Sequence, residues 1–248
     1  MKNLPIVYED LDILVLNKPA GISVHKTHPQ DPNKTLVDFV LEKYPEIKRP
    51  RAEIEPGFAT KSQIDLWDLR PGIVHRLDKE TSGLVIIAKN QKSFEYFQEL
   101  FQKREIKKTY LALVHGQLKN KKGRIELPLG KIGTKQTTRI IGKKELKERA
   151  AVTDYEVIQE FPSYSLLQVY PQTGRTHQIR IHLKSIGHPL VCDSIYGGKN
   201  HLCPPELGRL FLHAQKLEFK QPNGQSMILE ADPPEKLTNF LKSLNISF

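Results

Sequence analysis

The sequence predicts a strand-rich domain of mixed α and β structure, and three observations predict it. Short apolar runs bounded by turn residues recur along the 248 residues. Residues 151–159 and 164–170 alternate apolar and polar side chains as half-buried antiparallel strands do. Between such runs lie stretches with apolar residues at spacings of three and four, the mark of a helix with one core-facing stripe. Pattern alone leaves α+β and α/β both open.

In chain order, residues 6–9 (IVYE) and 13–17 (ILVLN) read as strands about an acidic turn, and Lys18-Pro19-Ala20-Gly21 ends the second. Thr35 to Asp38 forms a capping-box-like start to a helix ending at Tyr44, before Pro45. From 46 to 69 periodicity fails, and the segment, which holds Trp67 between Asp65 and Asp68, reads as a loop or insertion rather than an acid–base pair. Leu84 to Ala88 is an unbroken apolar run, a buried strand. Asn90 caps a helix to about Arg104, with Phe94, Phe97, Leu100 and Phe101 as its packed stripe. A strand follows over 107–114, and then a basic, glycine-punctuated stretch with strands near 123–127 and 137–141 in a hairpin-like arrangement. Ile179, Leu183 and Ile186 mark a further helical segment, 209–219 and 226–230 are strands about the turn Pro222-Asn223-Gly224, and a last helix presents Leu237, Phe240, Leu241 and Leu244 to the core.

The chemistry concentrates in RPGIVHRLDKETSG, Arg70 to Gly83. Within it His75, Arg76 and Asp78 crowd polar groups into a loop that feeds straight into the buried strand, where a carboxylate is exposed to substrate yet held by a rigid element. On spacing alone, HRLD reads equally as a surface turn whose Asp78 pairs with Arg76 or caps backbone amides. Tyr110 reads as a strand aromatic, and Arg180, in GRTHQIRIH, as a helix-surface residue. His177 and His182 are five apart, a spacing unsuited to metal on one helix face, so no metal is expected.

These strings together resemble the RluA family of pseudouridine synthases. HRLD followed by TSG matches the family's catalytic-aspartate signature, IVYEDLDILVLNKPAGISVH its opening, Lys108-Thr109-Tyr110 its active-site tyrosine motif, and GRTHQIRIH its arginine motif. The resemblance runs from Ile6 to about Asp232. It implies an α+β fold, a mixed and largely antiparallel sheet in two halves with flanking helices and a central cleft. It also implies one catalytic domain over 1–248, without the small amino-terminal RNA-binding domain that many members carry. The implied reaction isomerises a uridine within RNA to pseudouridine and needs no cofactor. Asp78 would act as nucleophile at the ribose anomeric carbon or as base at the neighbouring carbon, Arg180 would pair with it, and Tyr110 would stack on the base. Arg76 is the candidate side chain to replace the flipped uridine. His75, Arg175 and His177 are further candidate substrate contacts. The expected substrate is large-subunit ribosomal RNA, with transfer RNA as the alternative.

Charge agrees with an RNA partner. Of the formal +10, residues 101–150 carry a balance of +11, from 15 Lys/Arg against 4 Asp/Glu, so one fifth of the chain holds the whole excess. No apolar run approaches the roughly 20 residues of a membrane span, and acidic residues interrupt the N-terminal apolar stretch. A cytoplasmic monomer with no membrane partner is therefore expected. The two cysteines, Cys192 and Cys203, form no CxxC and are expected to be thiols. Two other functions fit parts of the pattern. A non-catalytic RNA-binding protein of the same fold would be marked by loss of Asp78. A glycoside hydrolase would need a second carboxylate beside it, for which Glu80 is the nearest in sequence.

Overall fold

The computed structural model describes residues 4–26, 32–47, 70–132, 135–138, 148–198 and 203–244. The segment 48–69, with Trp67, Asp65 and Asp68, lies outside them, as do parts of the basic stretch. Eleven strands, β1 (Ile6–Glu9), β2 (Ile13–Lys18), β3 (Ser82–Ala88), β4 (Lys107–His115), β5 (Lys122–Glu126), β6 (Leu129–Ile132), β7 (Lys135–Thr138), β8 (Val152–Glu160), β9 (Tyr164–Pro171), β10 (Leu212–Lys220) and β11 (Ser226–Glu230), alternate with four described helices. The helices are α1 (Leu36–Lys43), α2 (Gln91–Lys103), α3 (Gln178–Ser185) and α4 (Glu235–Leu244).

Nine strands form one sheet in the order β1-β2-β3-β10-β4-β9-β8-β5, with β11 on β10. Every pairing is antiparallel except β3 with β10, so the fold is α+β with two halves joined along β10. The basic stretch departs from the hairpin expected of it: β5 pairs with β8, and β6 pairs with β7 in a separate ribbon. The reason is register. Ile125, the buried residue of β5, joins Tyr155, Leu167 and Ile179 in the core, whereas a pairing with 137–141 would have left it without that partner face.

The unbroken apolar run of β3 is explained by cover on both faces. Val85 and Ile87 pack with Leu14 and Leu16 against Leu36 and Val40 of α1. Leu84 and Ile86 pack with Ile13 and Val15 against Phe97 and Leu100 of α2. Both helices start as the sequence predicts: Thr35 closes a capping box with Asp38, and Asn90 accepts from the Ser93 N–H. In the other half, Ala112, Val114, Leu167 and Val169 meet Ile179 and Leu183 of α3, while Leu113 and Leu166 meet Leu237 and Phe240 of α4.

Cys192 and Cys203 are joined in a disulfide with Cα atoms 4.4 Å apart, not the two thiols expected. Their pairing depends on a tertiary turn. Cys192 adopts a left-handed backbone (φ 59°) and Asp193 to Gly197 folds back with a hydrogen bond from the Gly197 N–H to the Asp193 carbonyl, a path that cysteine spacing does not reveal.

Three histidines act as internal struts. His182 engages Thr153 Oγ1 and the Leu127 carbonyl. His213 engages Ser82 Oγ and the Ala231 carbonyl. His75 accepts from the Ile86 N–H at 2.8 Å. Burial pushes the imidazoles of His75 and His213 down to about 3 and about 4, and lowers His182 as well. In the unfolded chain each takes up a proton near pH 6.5, but in the fold only at lower pH. The unfolded state therefore binds more protons below that point, and the stability these groups contribute, complete above about pH 6.5, declines as pH falls. Thermal melts from pH 7.5 to 4.5 should show a progressive drop in Tm. A flat profile would mean that these histidines are not held neutral.

Candidate active site

The loop carrying Asp78 is fastened before it reaches β3. Where β10 no longer accompanies β3, residues 72–75 take its place: the Ala88 N–H donates to the Gly72 carbonyl at 2.8 Å, Ile73 bridges Ile87, and His75 receives the Ile86 N–H. His75 also stacks on Phe101, with ring centroids 4.4 Å apart. As placed it braces the scaffold and does not line the cavity with the other candidate substrate contacts: its one placed ring bond serves a strand N–H that would otherwise be unpaired.

Beyond Asp78 the chain turns, with the Thr81 N–H donating to the Asp78 carbonyl at 3.1 Å. Lys18, fully buried at the end of β2, secures this turn from behind. Its ammonium donates to the carbonyls of Pro19, Ile22 and Lys79 at 2.9, 2.9 and 3.2 Å. Burial, and then the charge of Arg209, push the Lys18 pKa down to about 7 against the opposing pull of Asp78. At the start of β3, Gly83 (φ 120°) lies so close to β10 that a Cβ there would meet the Ala214 carbonyl oxygen at 2.2 Å. The glycine of TSG therefore lets the two halves of the sheet touch.

One cavity gathers Arg76, Asp78, Tyr110, Arg175, His177 and Arg180, six of the seven side chains singled out in the sequence. Tyr110 reaches it from β4, opposite Ala214 and Val169. Burial, and then the negative charge of Asp78, raise the pKa of its hydroxyl well above the ordinary range, so the phenol stays protonated. Arg76 is exposed at the cavity rim.

Arg180 is placed differently from the expected direct pair with Asp78. Its side chain, 2% exposed, donates from Nε and Nη2 to Asp193 at 2.8 and 2.6 Å, and from Nη2 to Glu80 at 3.1 Å. Tyr196 places its ring 5.3 Å from the guanidinium carbon. The Asp78 charge acts on Arg180 from further off. Burial opposes the charged guanidinium, but the Asp193 hydrogen bonds and the charges of Asp193, Asp78 and Glu80 outweigh it and raise its pKa. Asp193 mirrors this: burial favours its neutral form, yet Arg180 and the N–H groups of Tyr196 and Ile195 hold it below the usual carboxylate range. The correction has a geometric origin, since the fork of Arg180 is filled by a carboxylate thirteen residues on, in a loop of no regular structure.

The imidazole closest to Asp78 is His177, a left-handed residue (φ 55°) at the start of α3. Its Nε2 stands 3.8 Å from Asp78 Oδ1, and its Nδ1 meets the Tyr196 hydroxyl at 2.9 Å. Burial lowers its pKa more than Asp78 raises it, so the ring is neutral at pH 7. The Tyr196 hydroxyl can donate to Nδ1, and the tautomer this selects carries its proton on Nε2, toward the Asp78 carboxylate.

Sequence reasoning missed Lys18, Asp193 and Tyr196. A buried arginine demands a carboxylate, but nothing in the turn-rich stretch after Cys192 marks Asp193 as that group. Glu80, the candidate second carboxylate of a glycoside hydrolase, is occupied by Arg180 and by the Ser194 hydroxyl. Among the described residues no group of three or more His, Cys, Asp or Glu could hold a metal, and no helix is long and apolar enough to cross a membrane.

Comparison with known proteins agrees with this architecture. The model of the RNA pseudouridylate synthase family matches residues 12–185. An uncharacterized RNA pseudouridine synthase of Aquifex aeolicus (strain VF5) is 39% identical over 94% of this chain and 71% of its own length. A ribosomal large subunit pseudouridine synthase D of Yersinia pestis is 35% identical over 97% of this chain and 70% of its own. The solved human RNA pseudouridylate synthase domain containing 4 superposes with a TM-score of 0.74, covering 98% of this chain and 94% of that one, and at 24% identity it speaks for the fold. The chain belongs to the RluA family of RNA pseudouridine synthases, isomerases that convert uridine in RNA to pseudouridine.

Proposed function

We propose that this protein isomerises uridine in large-subunit ribosomal RNA and that Asp78 is the carboxylate that does so. The observation that carries the reading is the single cavity in which Asp78, Tyr110 and Arg180 converge from three elements distant in sequence. The choice of RNA draws support from relatives in Yersinia pestis, Haemophilus ducreyi and Vibrio parahaemolyticus that are named for the large ribosomal subunit.

The residues divide the work as follows. The target uridine leaves its stack, at a cost of a few kcal/mol, and exposed Arg76 at the rim takes the vacated place. Tyr110, a neutral phenol beside Asp78, supplies a flat face for the uracil. Asp78 attacks the anomeric carbon or takes the proton from the neighbouring carbon; in either role it works next to a fixed N–H, that of His177, and within the field of Arg180. The uracil, freed at N1, turns and rejoins the ribose through C5; the C5 proton is lost to solvent and N1 takes one up, so that the product is an isomer of the substrate. Arg175, with Arg104 and Arg149 near enough to lower its pKa after burial, forms a basic rim for neighbouring phosphates.

Mapping tests the reading. Protein and its Asp78→Asn form, incubated with unmodified ribosomal and transfer RNA, should yield a new pseudouridine in large-subunit RNA with the former alone. The Asn form should keep RNA affinity within a few-fold; retained turnover would remove Asp78 from the reaction, and a site only in transfer RNA would overturn the substrate. Asp193→Asn weakens the grip on a buried cation, a change of roughly 3–5 kcal/mol when a buried pair is broken. It should therefore cost both thermal stability and most of the turnover, whereas a wild-type rate would show that Arg180 needs no anchor. Replacing Arg104, Arg149 and Arg175 together by Gln should weaken RNA binding and reduce its salt dependence by about three charges' worth of slope. Unchanged slope, measured by titration at several salt concentrations, would leave these arginines as solvated surface.

A further inference from the structure

Thr81 is 2% exposed and lines the cavity beside Asp78, yet its hydroxyl has no hydrogen-bond partner among the described residues. Its neighbours differ. Thr173 Oγ1 donates to Gln178 Oε1 at 2.6 Å and accepts from the Val152 N–H at 3.1 Å. Gln178 in turn donates to the Val152 carbonyl and to Thr153 Oγ1. Ser82, the next residue, accepts from Arg209 at 2.9 Å and engages His213 at 3.0 Å. A buried hydroxyl left unpaired in a site otherwise satisfied costs free energy and calls for a reason. Two further buried groups without a partner among the described residues, His25 Nε2 and Gln91 Oε1, do not line this cavity.

Thr81 is also held rigidly. Its N–H is tied to the Asp78 carbonyl, and its successors enter β3, where Ser82 faces His213 and Gly83 faces Ala214. That register sets Thr81 beside Leu212, while Ala214 lies opposite Tyr110 on the other edge of β10. Thr81 therefore belongs to the wall made by Leu212 and Tyr110, flat and largely apolar, which suits a base rather than a ribose.

We infer that Thr81 is a substrate-contacting residue of this reaction, its hydroxyl donating to a carbonyl oxygen of the uracil ring. This rests on the reading of the cavity as the reaction centre. The chemistry favours a single fixed donor of this kind. To present C5 where N1 was, the uracil turns about the line through N3 and C6, and that rotation exchanges O2 and O4. One hydroxyl in the wall thus meets an equivalent carbonyl before and after the turn. A neutral donor holds the ring without the strong attachment to one orientation that a charged group would impose.

The test uses a large-subunit RNA transcript carrying 5-tritiated uridine, with tritium release as the readout, and the Thr81→Val and Thr81→Ser forms. Val keeps the shape and removes the hydroxyl. Its single-turnover rate should fall about tenfold or more, with Tm unchanged or higher, and Ser should recover most of the rate. In a second arm the target position carries 2-thiouridine or 4-thiouridine, whose sulfur is a weak acceptor. Thio-substitution should slow the unaltered protein but slow Thr81→Val less, a coupling that a purely structural role would not produce. Wild-type turnover by Thr81→Val, or equal thio penalties in both forms, would overturn the inference. If Asp78→Asn itself kept its rate, the assignment of the reaction centre would fail instead.

Discussion

The buried pair of Arg180 and Asp193 is the constraint on which the site depends. A guanidinium at 2% exposure has lost its water, and only a carboxylate meeting it along the whole edge of its fork can compensate. Asp193 does so, and two backbone N–H groups of its own loop occupy the same carboxylate. The second hydrogen on Nη2 reaches Glu80, two residues beyond Asp78. One side chain therefore ties α3, the loop after Cys192 and the turn that carries Asp78 into a single unit. The disulfide closes that loop at its base, and Tyr196 from the same loop holds His177. Charge inside the cavity is thus arranged around an internal cation held by Asp193 and Glu80, with Asp78 acting on it through its charge.

The opposite wall is fixed by different means. Backbone hydrogen bonds to β3 and a buried ammonium fastened to three carbonyls hold the approach to Asp78 and the turn after it. Neither arrangement relies on the exposed face of the molecule. Support of this kind holds the turn that carries Asp78 in one geometry, so that binding energy need not be spent distorting the protein.

Much of this was legible beforehand, and the reasons differ by element. The caps at Thr35 and Asn90, the stripe of α2 and the buried run of β3 are local patterns, and local physics determines them. Asp78, Tyr110 and Arg180 stood out because the strings around them resemble a family, not because their spacing proves contact. What could not be read was partnership. Arg180 meets Asp193 and not Asp78, β5 meets β8, Cys192 meets Cys203, and His75 braces β3. Each of these is decided by tertiary register, to which a period in the sequence is blind.

The position of β10 has a consequence for how the protein comes into being. Among the described strands it is the one hydrogen-bonded to both β3, in parallel, and β4, antiparallel, yet in chain order it precedes only β11 and α4. A ribosome therefore delivers Asp78 and Tyr110 long before the strand that brings them side by side. Until residues 212–220 emerge, Ser82 and Gly83 at the start of β3 and the facing edge of β4 lack the strand they pair with, the kind of surface that nascent chains misuse and chaperones cover. The part of the cavity wall that Leu212 supplies is therefore completed only with the penultimate strand.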